Sequence, residues 1–207
     1  MQVLKLLEKH DLSILDSSGE KISLLEEIGS GADGQVFNLS YSKIIKLSVL
    51  YEDSLSLEIA YQSIHDRLQY LISHPEENPH FAKLYEFKSL GIYSRILYGN
   101  LPQRYLLYYY VVEKLLKISE DEKKVFHSLI SHEDANRVKK YSIKKAIQIL
   151  SELSRSLDID QQKAIFFLKN LRESKLKHLD LHPRNIMKDQ LGNFKLIDFD
   201  RMTIGVK

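Results

Sequence analysis

Two aspartates and an asparagine near the end of the sequence could together hold a metal ion and move a proton. The stretch "HLDLHPRNIM" (178–187) places Asp180 five residues before Asn185, and "FKLIDFD" places Asp198 after a short apolar run. Carboxylate and amide oxygens suit Mg²⁺, a hard cation that shares its ligand sphere with substrate phosphates. The competing interpretation is a polar surface loop between two elements.

Three glycines in "GSGADGQVF" could allow a backbone to approach phosphate oxygens. Gly29, Gly31 and Gly34 lie between two predicted strands, with Ser30 among them. Glycine has no Cβ in the way of a phosphate, and this strand-turn-strand setting differs from the dinucleotide fingerprint and the P-loop, which both run from strand into helix. A flexible hairpin turn explains the glycines alone equally well.

Lys46 brings a positive charge into the apolar strand "KIIKLSV". A charge on one face of a sheet needs a partner, and Glu58 on the next predicted helix is the best candidate. The alternative for this pair in isolation is that both side chains are solvated at the surface.

The hydrophobic period predicts the elements that must position these residues. In the first half, helices are expected over 3–10 and 54–72, and strands over 21–29, 34–40, 43–49, 81–90 and 104–113. The second half is mostly helical, over 119–155 and 160–174, and ends in a hairpin that turns at Gly192 and Asn193. The sequence therefore predicts an α+β fold of two lobes, 1–113 with about five antiparallel strands plus one helix, and 114–207.

Composition excludes several other classes of protein. The chain has 207 residues, no cysteine and a net charge of +2 without a dense basic run, so thiolate metal sites, cysteine nucleophiles and nucleic acid as the main partner are not expected. No apolar run is long enough for a membrane span, and we expect a soluble monomer.

Two further sets of residues carry weaker expectations. His65, His74 and His80 lack the spacing of a metal site and are expected at the surface. The three tyrosines at 108–110 are expected to alternate between core and solvent along a strand.

In this order the motifs resemble the protein-kinase superfamily over nearly the whole chain. Gly29–Gly34 with Val36 resembles the glycine-rich loop, Lys46 the lysine of the third strand, and "VVEKL" the segment that joins the lobes. "HLDLHPRN" resembles the catalytic loop, and "IDFD" the metal-binding motif usually written Asp-Phe-Gly. The resemblance implies a two-lobe protein-kinase-like fold whose reduced C-lobe ends just after this last motif.

The resemblance also implies an ATP site. The backbone of the glycine-rich loop would cover the phosphates, and Lys46, oriented by Glu58, would hold the α and β phosphates. Backbone groups of residues 113–115, including Glu113 and Leu115, would bond the adenine edge. The adenine would lie between apolar side chains, namely Val36, Ile44, Val112 and Met187.

The same resemblance assigns the chemistry to three residues. Asp180 would accept or orient the proton of the attacking hydroxyl, and Asn185 and Asp198 would hold Mg²⁺, or Mn²⁺ in its place. Phosphoryl transfer depends on positioning and charge neutralisation, so these residues with Lys46 are the necessary parts.

Three departures from the family pattern change what is expected. Leu179 stands where many protein kinases carry an arginine that reads a phosphorylated activation loop, so we expect an enzyme that is on by default. Only "FDRMTIGVK" follows Asp198, without an activation segment, so substrate must be held differently; residues 119–155 could serve, or could be a solvated face. His182 replaces the usual lysine and is similar to the loop of aminoglycoside and choline kinases.

These features predict a protein kinase that phosphorylates a Ser or Thr hydroxyl, with Tyr as an alternative. Its size and motifs resemble the minimal kinases that bacterial pathogens secrete as effectors, which implies a host protein such as a chaperone or a ubiquitin-pathway protein as partner. It would then act in the cytoplasm, or in a host cytosol without a cleavable signal peptide. The alternatives are a small-molecule kinase and, from another class, a pseudokinase that serves as a binding module.

Overall fold

The computed structural model describes residues 3–16, 18–31, 34–52, 56–96, 102–131, 143–179 and 181–204. They fall into two compact units, the first made of Met1–Ser73 and Lys83–Lys114, the second of His74–Ala82 and Leu115–Lys207. The described part contains five α-helices and an antiparallel sheet of five strands, so the mixed α+β class is confirmed.

The first unit is built on this antiparallel sheet, whose strand order is β1-β2-β3-β5-β4. Its strands are β1 (Glu27–Ser30), β2 (Gly34–Asn38), β3 (Lys43–Tyr51), β4 (Leu84–Ile96) and β5 (Pro102–Glu113), and its helices are α1 (Val3–Lys9) and α2 (Leu57–Ser73). Isoleucine, valine and tyrosine dominate β3 and β5, which suits central strands. Ser56 Oγ accepts a hydrogen bond from the Ile59 amide and so caps the start of α2.

The first predicted strand is too long at its start. Asp16 Oδ1 accepts hydrogen bonds from the amides of Ser18 and Glu20, which closes a tight turn. The chain after this turn pairs backward, with Lys21 bridged to Leu15, and does not enter the sheet until Glu27. A local side-chain turn therefore overrides the β-rich pattern of residues 21–26.

Both faces of the sheet are covered, and this contradicts the expectation for the three tyrosines. Tyr109 lies in the apolar cluster that α1 closes, whereas the ring of Tyr108 packs edge-on to Phe87 on the opposite face. Phe87 in turn stacks with Tyr61 of α2. All three tyrosines are buried, so the prediction that they alternate between core and solvent was wrong.

The second unit combines helices with short strands. Its helices are α3 (Glu120–Ser131), α4 (Ile143–Leu153) and α5 (Gln161–Glu173); the sheet of β6 (Leu116–Lys117), β8 (Ile186–Lys188) and β9 (Phe194–Leu196) has order β6-β8-β9, and β7 (Leu176–His178) pairs with β10 (Met202–Ile204). Phe126, Phe167 and Phe194 form an edge-to-face aromatic core between α3, α5 and β9. The predicted helical stretch 119–155 thus appears as α3 and α4, and residues 132–142 lie outside the described ranges.

Side chains define where the helices of this unit start. Ser119 and Glu122 form a reciprocal capping box at α3, with Glu122 Oε2 accepting from the Ser119 amide at 2.8 Å and Ser119 Oγ accepting from the Glu122 amide at 3.2 Å. Asp160 caps α5 through Lys163, and α5 confirms the helix predicted over 160–174. Within the described ranges, no helix combines the length and the apolar composition that crossing a bilayer requires.

His80 departs from its predicted surface position, whereas His74 is exposed. The ring of His80 is only 1% exposed and stacks near Phe81, with ring centroids 4.5 Å apart. Backbone bonds on either side fix it there, because the Leu196 amide donates to the His80 carbonyl and Lys195 Nζ donates to the Pro79 carbonyl. The surface prediction for His80 was wrong because these partners lie more than a hundred residues away in sequence.

Candidate active site

The hairpin of β8 and β9 brings Asn185 and Asp198 to the same end of two paired strands. Ile186 pairs with Leu196, and one step further the Ile197 amide donates to the Asn185 carbonyl at 2.9 Å. Asp198 follows Ile197 directly, and Gly192, with a φ of 79°, forms the turn at the other end as predicted. The two residues predicted to hold a metal are therefore held side by side by backbone pairing.

A short 3-10 turn, Pro183–Asn185, orients the asparagine. His182 caps this turn, since its Nδ1 accepts a hydrogen bond from the Arg184 amide at 3.1 Å. Proline suits the first position of such a turn because its missing N–H needs no partner there. Asn185 itself is buried, at 8% exposure.

Asp198 adopts a backbone conformation that side chains other than glycine usually avoid. Its φ is 67° and its ψ is 63°, and within the described ranges only Asp11 shares a positive φ among the residues that have a side chain. The left-handed conformation costs about 1 kcal/mol or more, and such strain concentrates at functional sites. The fold holds the residue there because Phe199, the next residue, is 1% exposed.

His178 supports the same backbone from β7, a role that the sequence reasoning missed. Its Nε2 lies 2.9 Å from the Ile197 carbonyl, and because a carbonyl only accepts, Nε2 carries the proton. The ring is buried, at 5% exposure. His178 therefore fixes the residue that lies between the Asn185 contact and Asp198.

Asp180, the predicted base, lies outside the described residues. Its neighbours differ sharply in exposure, with Leu179 54% exposed and Leu181 buried. The assignment of Asp180 to proton transfer stays a prediction.

Four of the predicted ATP-binding residues share one face of the sheet in the first unit. Lys46 pairs with Val36 on one side and with Tyr110 on the other, and Ile44 pairs with Val112. Cross-strand partners project from the same face, as do residues two apart on one strand. Lys46 Nζ lies 5.6 Å from the centroid of the Tyr110 ring. This face is opposite to the one that α1 covers.

The glycines of the loop differ in what they need. A Cβ at Gly34 would lie 2.5 Å from the Leu47 carbonyl oxygen, so the strand pairing itself excludes a side chain there. A Cβ at Gly29 or Gly31 would meet no described atom within 4 Å. Packing within the described protein therefore explains Gly34 and leaves Gly29 and Gly31 to another cause, such as backbone freedom or a ligand. Ser30, between them, pairs with Gln35 across β1 and β2.

Glu58 is bonded to Arg104, which the sequence reasoning did not consider. Arg104 also donates to Glu52 Oε1 at 3.1 Å, so it joins the end of β3 to the start of α2. The hydrogen bond from the guanidinium holds the pKa of the Glu58 carboxyl below its usual value. The pairing of Glu58 with Lys46 stays a prediction, and it would require Glu58 to leave Arg104.

The remaining adenine-binding candidates are divided between the units. In the first, the Glu113 amide donates to the Lys83 carbonyl at 2.9 Å, and Glu113 Oε1 accepts from the Lys83 amide at 2.7 Å. In the second, Leu115 directly precedes β6, and Met187 on β8 is half-buried and paired with Lys117 and Lys195. The proposed roles of these residues toward adenine are untested.

The oxygen donors of Asn185 and Asp198 fit a cation that phosphates also bind. Among the described residues, no group of three or more histidine, aspartate or glutamate side chains could enclose a metal on its own. Mg²⁺ is usually held by one or two protein oxygens together with phosphate oxygens and water, so a complete protein cage is not needed. The donor set therefore suits Mg²⁺ brought with a nucleotide.

No protein-family model matches the chain, and no curated protein matches it either. Two solved structures are similar. One is described as WbdD with the kinase inhibitor LY294002 (13% identity, TM-score 0.44, 89% of this chain and 34% of that chain) and one as WbdD at 2.2 Å (14% identity, TM-score 0.39, 90% and 34%). The chain thus spans about a third of the length of each. Likeness at this level does not identify its family or its activity.

Proposed function

We propose that the chain is an ATP- and Mg²⁺-dependent phosphotransferase that phosphorylates a hydroxyl group of a protein. The observation that carries the proposal is the strained Asp198 beside Asn185 at the end of one hairpin. A left-handed aspartate that the surrounding backbone holds in place is expected where a carboxylate must point at a ligand. Further support comes from Lys46, which shares a sheet face with three apolar residues suited to a purine.

In this proposal each residue has one task. Lys46 bonds the α and β phosphates, Asp180 takes the proton of the attacking hydroxyl, and Asn185 and Asp198 hold Mg²⁺. Mg²⁺ bound there would offset the negative charge of the phosphates. His178 keeps the backbone of Asp198 in register with Asn185 through its bond to Ile197.

The acceptor that we propose is a Ser or Thr hydroxyl, and a host protein such as a chaperone or a ubiquitin-pathway protein is the candidate partner. This part rests on the resemblance of the motifs alone. Leu179 has no group that could bind a phosphorylated loop, which supports an enzyme active without that modification. His182, which favoured a small-molecule acceptor, has a sufficient explanation as the cap of the turn before Asn185.

The test separates nucleotide binding from transfer. Wild type, Asp180→Ala, Asp198→Ala and the exposed control Asp66→Ala are compared for Mg²⁺-dependent ATP binding by calorimetry and for transfer of labelled phosphate to proteins of a eukaryotic cell extract. We expect Asp180→Ala to keep binding and to lose at least about 100-fold in transfer, as for removal of a general base. Asp198→Ala should lose the Mg²⁺ dependence of binding, and Asp66→Ala should match wild type.

Three results would count against the proposal. Equal transfer by wild type and Asp180→Ala would refute the role of Asp180. Acceleration of ATP consumption by aminoglycosides or choline-like compounds, and not by proteins, would favour the small-molecule alternative. Failure of wild type to bind Mg²⁺-ATP would refute the enzyme altogether.

A further inference from the structure

Gln35 ties three elements of the first unit together from a buried position. It lies on β2, directly after Gly34, and is only 2% exposed. Its Oε1 accepts a hydrogen bond from the Leu4 amide at 3.0 Å, and its Nε2 donates to Glu27 Oε2 at 2.9 Å. The amide therefore links α1, through Leu4, to β1, through Glu27, at the base of the glycine-rich loop.

The α1 end of this link is firmly anchored. Val3, Leu6 and Leu7 of α1 are buried in one apolar cluster with side chains of β2, β3 and β5. Just after the helix, His10 Nε2 lies 2.6 Å from the Tyr105 hydroxyl. The Leu4 amide is one of the first amides of the helix, which have no partner inside it, so Gln35 also satisfies a donor that the helix leaves open.

The β1 end of the link is the weak one. β1 is the edge strand of the sheet, all four of its residues are exposed, and its pairing with β2 shifts register between Glu27 and Gly29. An exposed edge strand with an irregular ladder opens more easily than the core of a sheet. The bond from Gln35 is thus a tie from the buried core to the strand that leads into the loop.

We infer that Gln35 is a positioning residue that sets the affinity for the nucleotide by holding β1 and the glycine-rich loop against the anchored helix α1. This inference rests on the proposed function, because it assumes that the loop covers ATP phosphates. When only a fraction of the molecules has the loop in a binding-competent geometry, the apparent dissociation constant rises by the inverse of that fraction. Gln35 acts from the face opposite to Lys46 and touches no proposed ligand.

The sharpest test uses Glu27, because this residue is exposed and its substitution leaves the core intact. Glu27→Ala removes the acceptor of the Gln35 bond, whereas Glu27→Gln keeps an acceptor oxygen and removes the same charge. Dissociation constants for a fluorescent ATP analogue with Mg²⁺ are measured for both variants and wild type. We expect a rise of about two- to tenfold for Glu27→Ala over Glu27→Gln, the range for one hydrogen bond.

Variants of Gln35 itself extend the test. Gln35→Leu removes both bonds and should weaken binding at least as much as Glu27→Ala. Gln35→Glu brings two carboxylates together, and adding Glu27→Gln restores a donor opposite the new acceptor, so the double variant should recover most of the affinity. The KM for ATP should rise in the weakened variants while kcat changes little, because the tie acts on binding.

Val49→Ala is the control for a general loss of stability. Val49 belongs to the same apolar cluster and has no link to β1, so this variant should lower the midpoint of thermal unfolding and leave the dissociation constant unchanged. Equal affinities of Glu27→Ala and Glu27→Gln, in a wild type that binds the analogue, would overturn the inference alone. The same shift in Val49→Ala would also overturn it. A wild type without binding would overturn the proposed function first.

Discussion

His80 makes the folded second unit sensitive to acid. Its ring is buried, and neither ring nitrogen has a hydrogen-bond partner among the described residues. Burial, assisted by the positive charges of Lys195 and Lys177, lowers the pKa of His80 from 6.5 to about 3. The neutral ring is tolerated in this position, and the protonated ring is not.

The size and sign of the effect follow from the two pKa values. Below pH 6.5 the unfolded chain binds a proton at His80 that the folded protein does not bind until about pH 3. The free energy of unfolding that His80 contributes is therefore intact above pH 6.5 and falls by about 1.4 kcal/mol per pH unit below it. The loss is about 2 kcal/mol at pH 5 and approaches about 4 to 5 kcal/mol at pH 3.

Urea unfolding of wild type and His80→Phe between pH 7.5 and pH 4.5 measures this loss directly. Phenylalanine keeps a planar ring beside Phe81 and removes both unpartnered nitrogens, so the two proteins should differ by less than about 1.5 kcal/mol at pH 7.5. The variant should gain about 2 kcal/mol over wild type by pH 5, with equal m-values. His127→Phe, which removes an exposed histidine, is the control. Parallel stability curves for wild type and His80→Phe would refute the reasoning.

Two further predictions concern a buried ion pair and the glycines. Glu122→Ala removes both the Lys188 partner at 3.0 Å and the helix cap, and should cost about 2 to 4 kcal/mol in urea unfolding, whereas the exposed Glu120→Ala should change little; similar losses would show that burial does not matter here. Gly34→Ala should lower the midpoint of thermal unfolding because its Cβ meets a backbone oxygen, and Gly31→Ala should not; equal midpoints would contradict the close approach.

Local patterns in the sequence predicted the elements whose signals are themselves local. The helix α5 carries its own cap in Asp160, and the β8–β9 hairpin carries Gly192 at its turn, so both were predicted close to their bounds. The hairpin is also what brings Asn185 to Asp198. This part of the candidate site was therefore accessible from the sequence alone.

Features that depend on distant partners were not predicted. The strands β6, β7 and β10 have two or three residues each, too few for a periodic pattern, and exist only because another strand lies beside them. His80 is buried by residues near position 195, and Glu58 is bonded by Arg104 from β5, 46 residues further along the chain. Solvation was the natural expectation for each, since nothing in its neighbourhood along the chain indicates otherwise.

The left-handed backbone of Asp198 sets stability against activity at a single codon. Glycine adopts this conformation without strain, so Asp198→Gly should unfold at a higher urea concentration, by roughly 1 kcal/mol, while removing the carboxylate. A gene copy released from selection for phosphate transfer should therefore drift toward glycine or asparagine here. The identity of residue 198 in diverging copies would separate lineages that still perform the chemistry from those that keep only the fold.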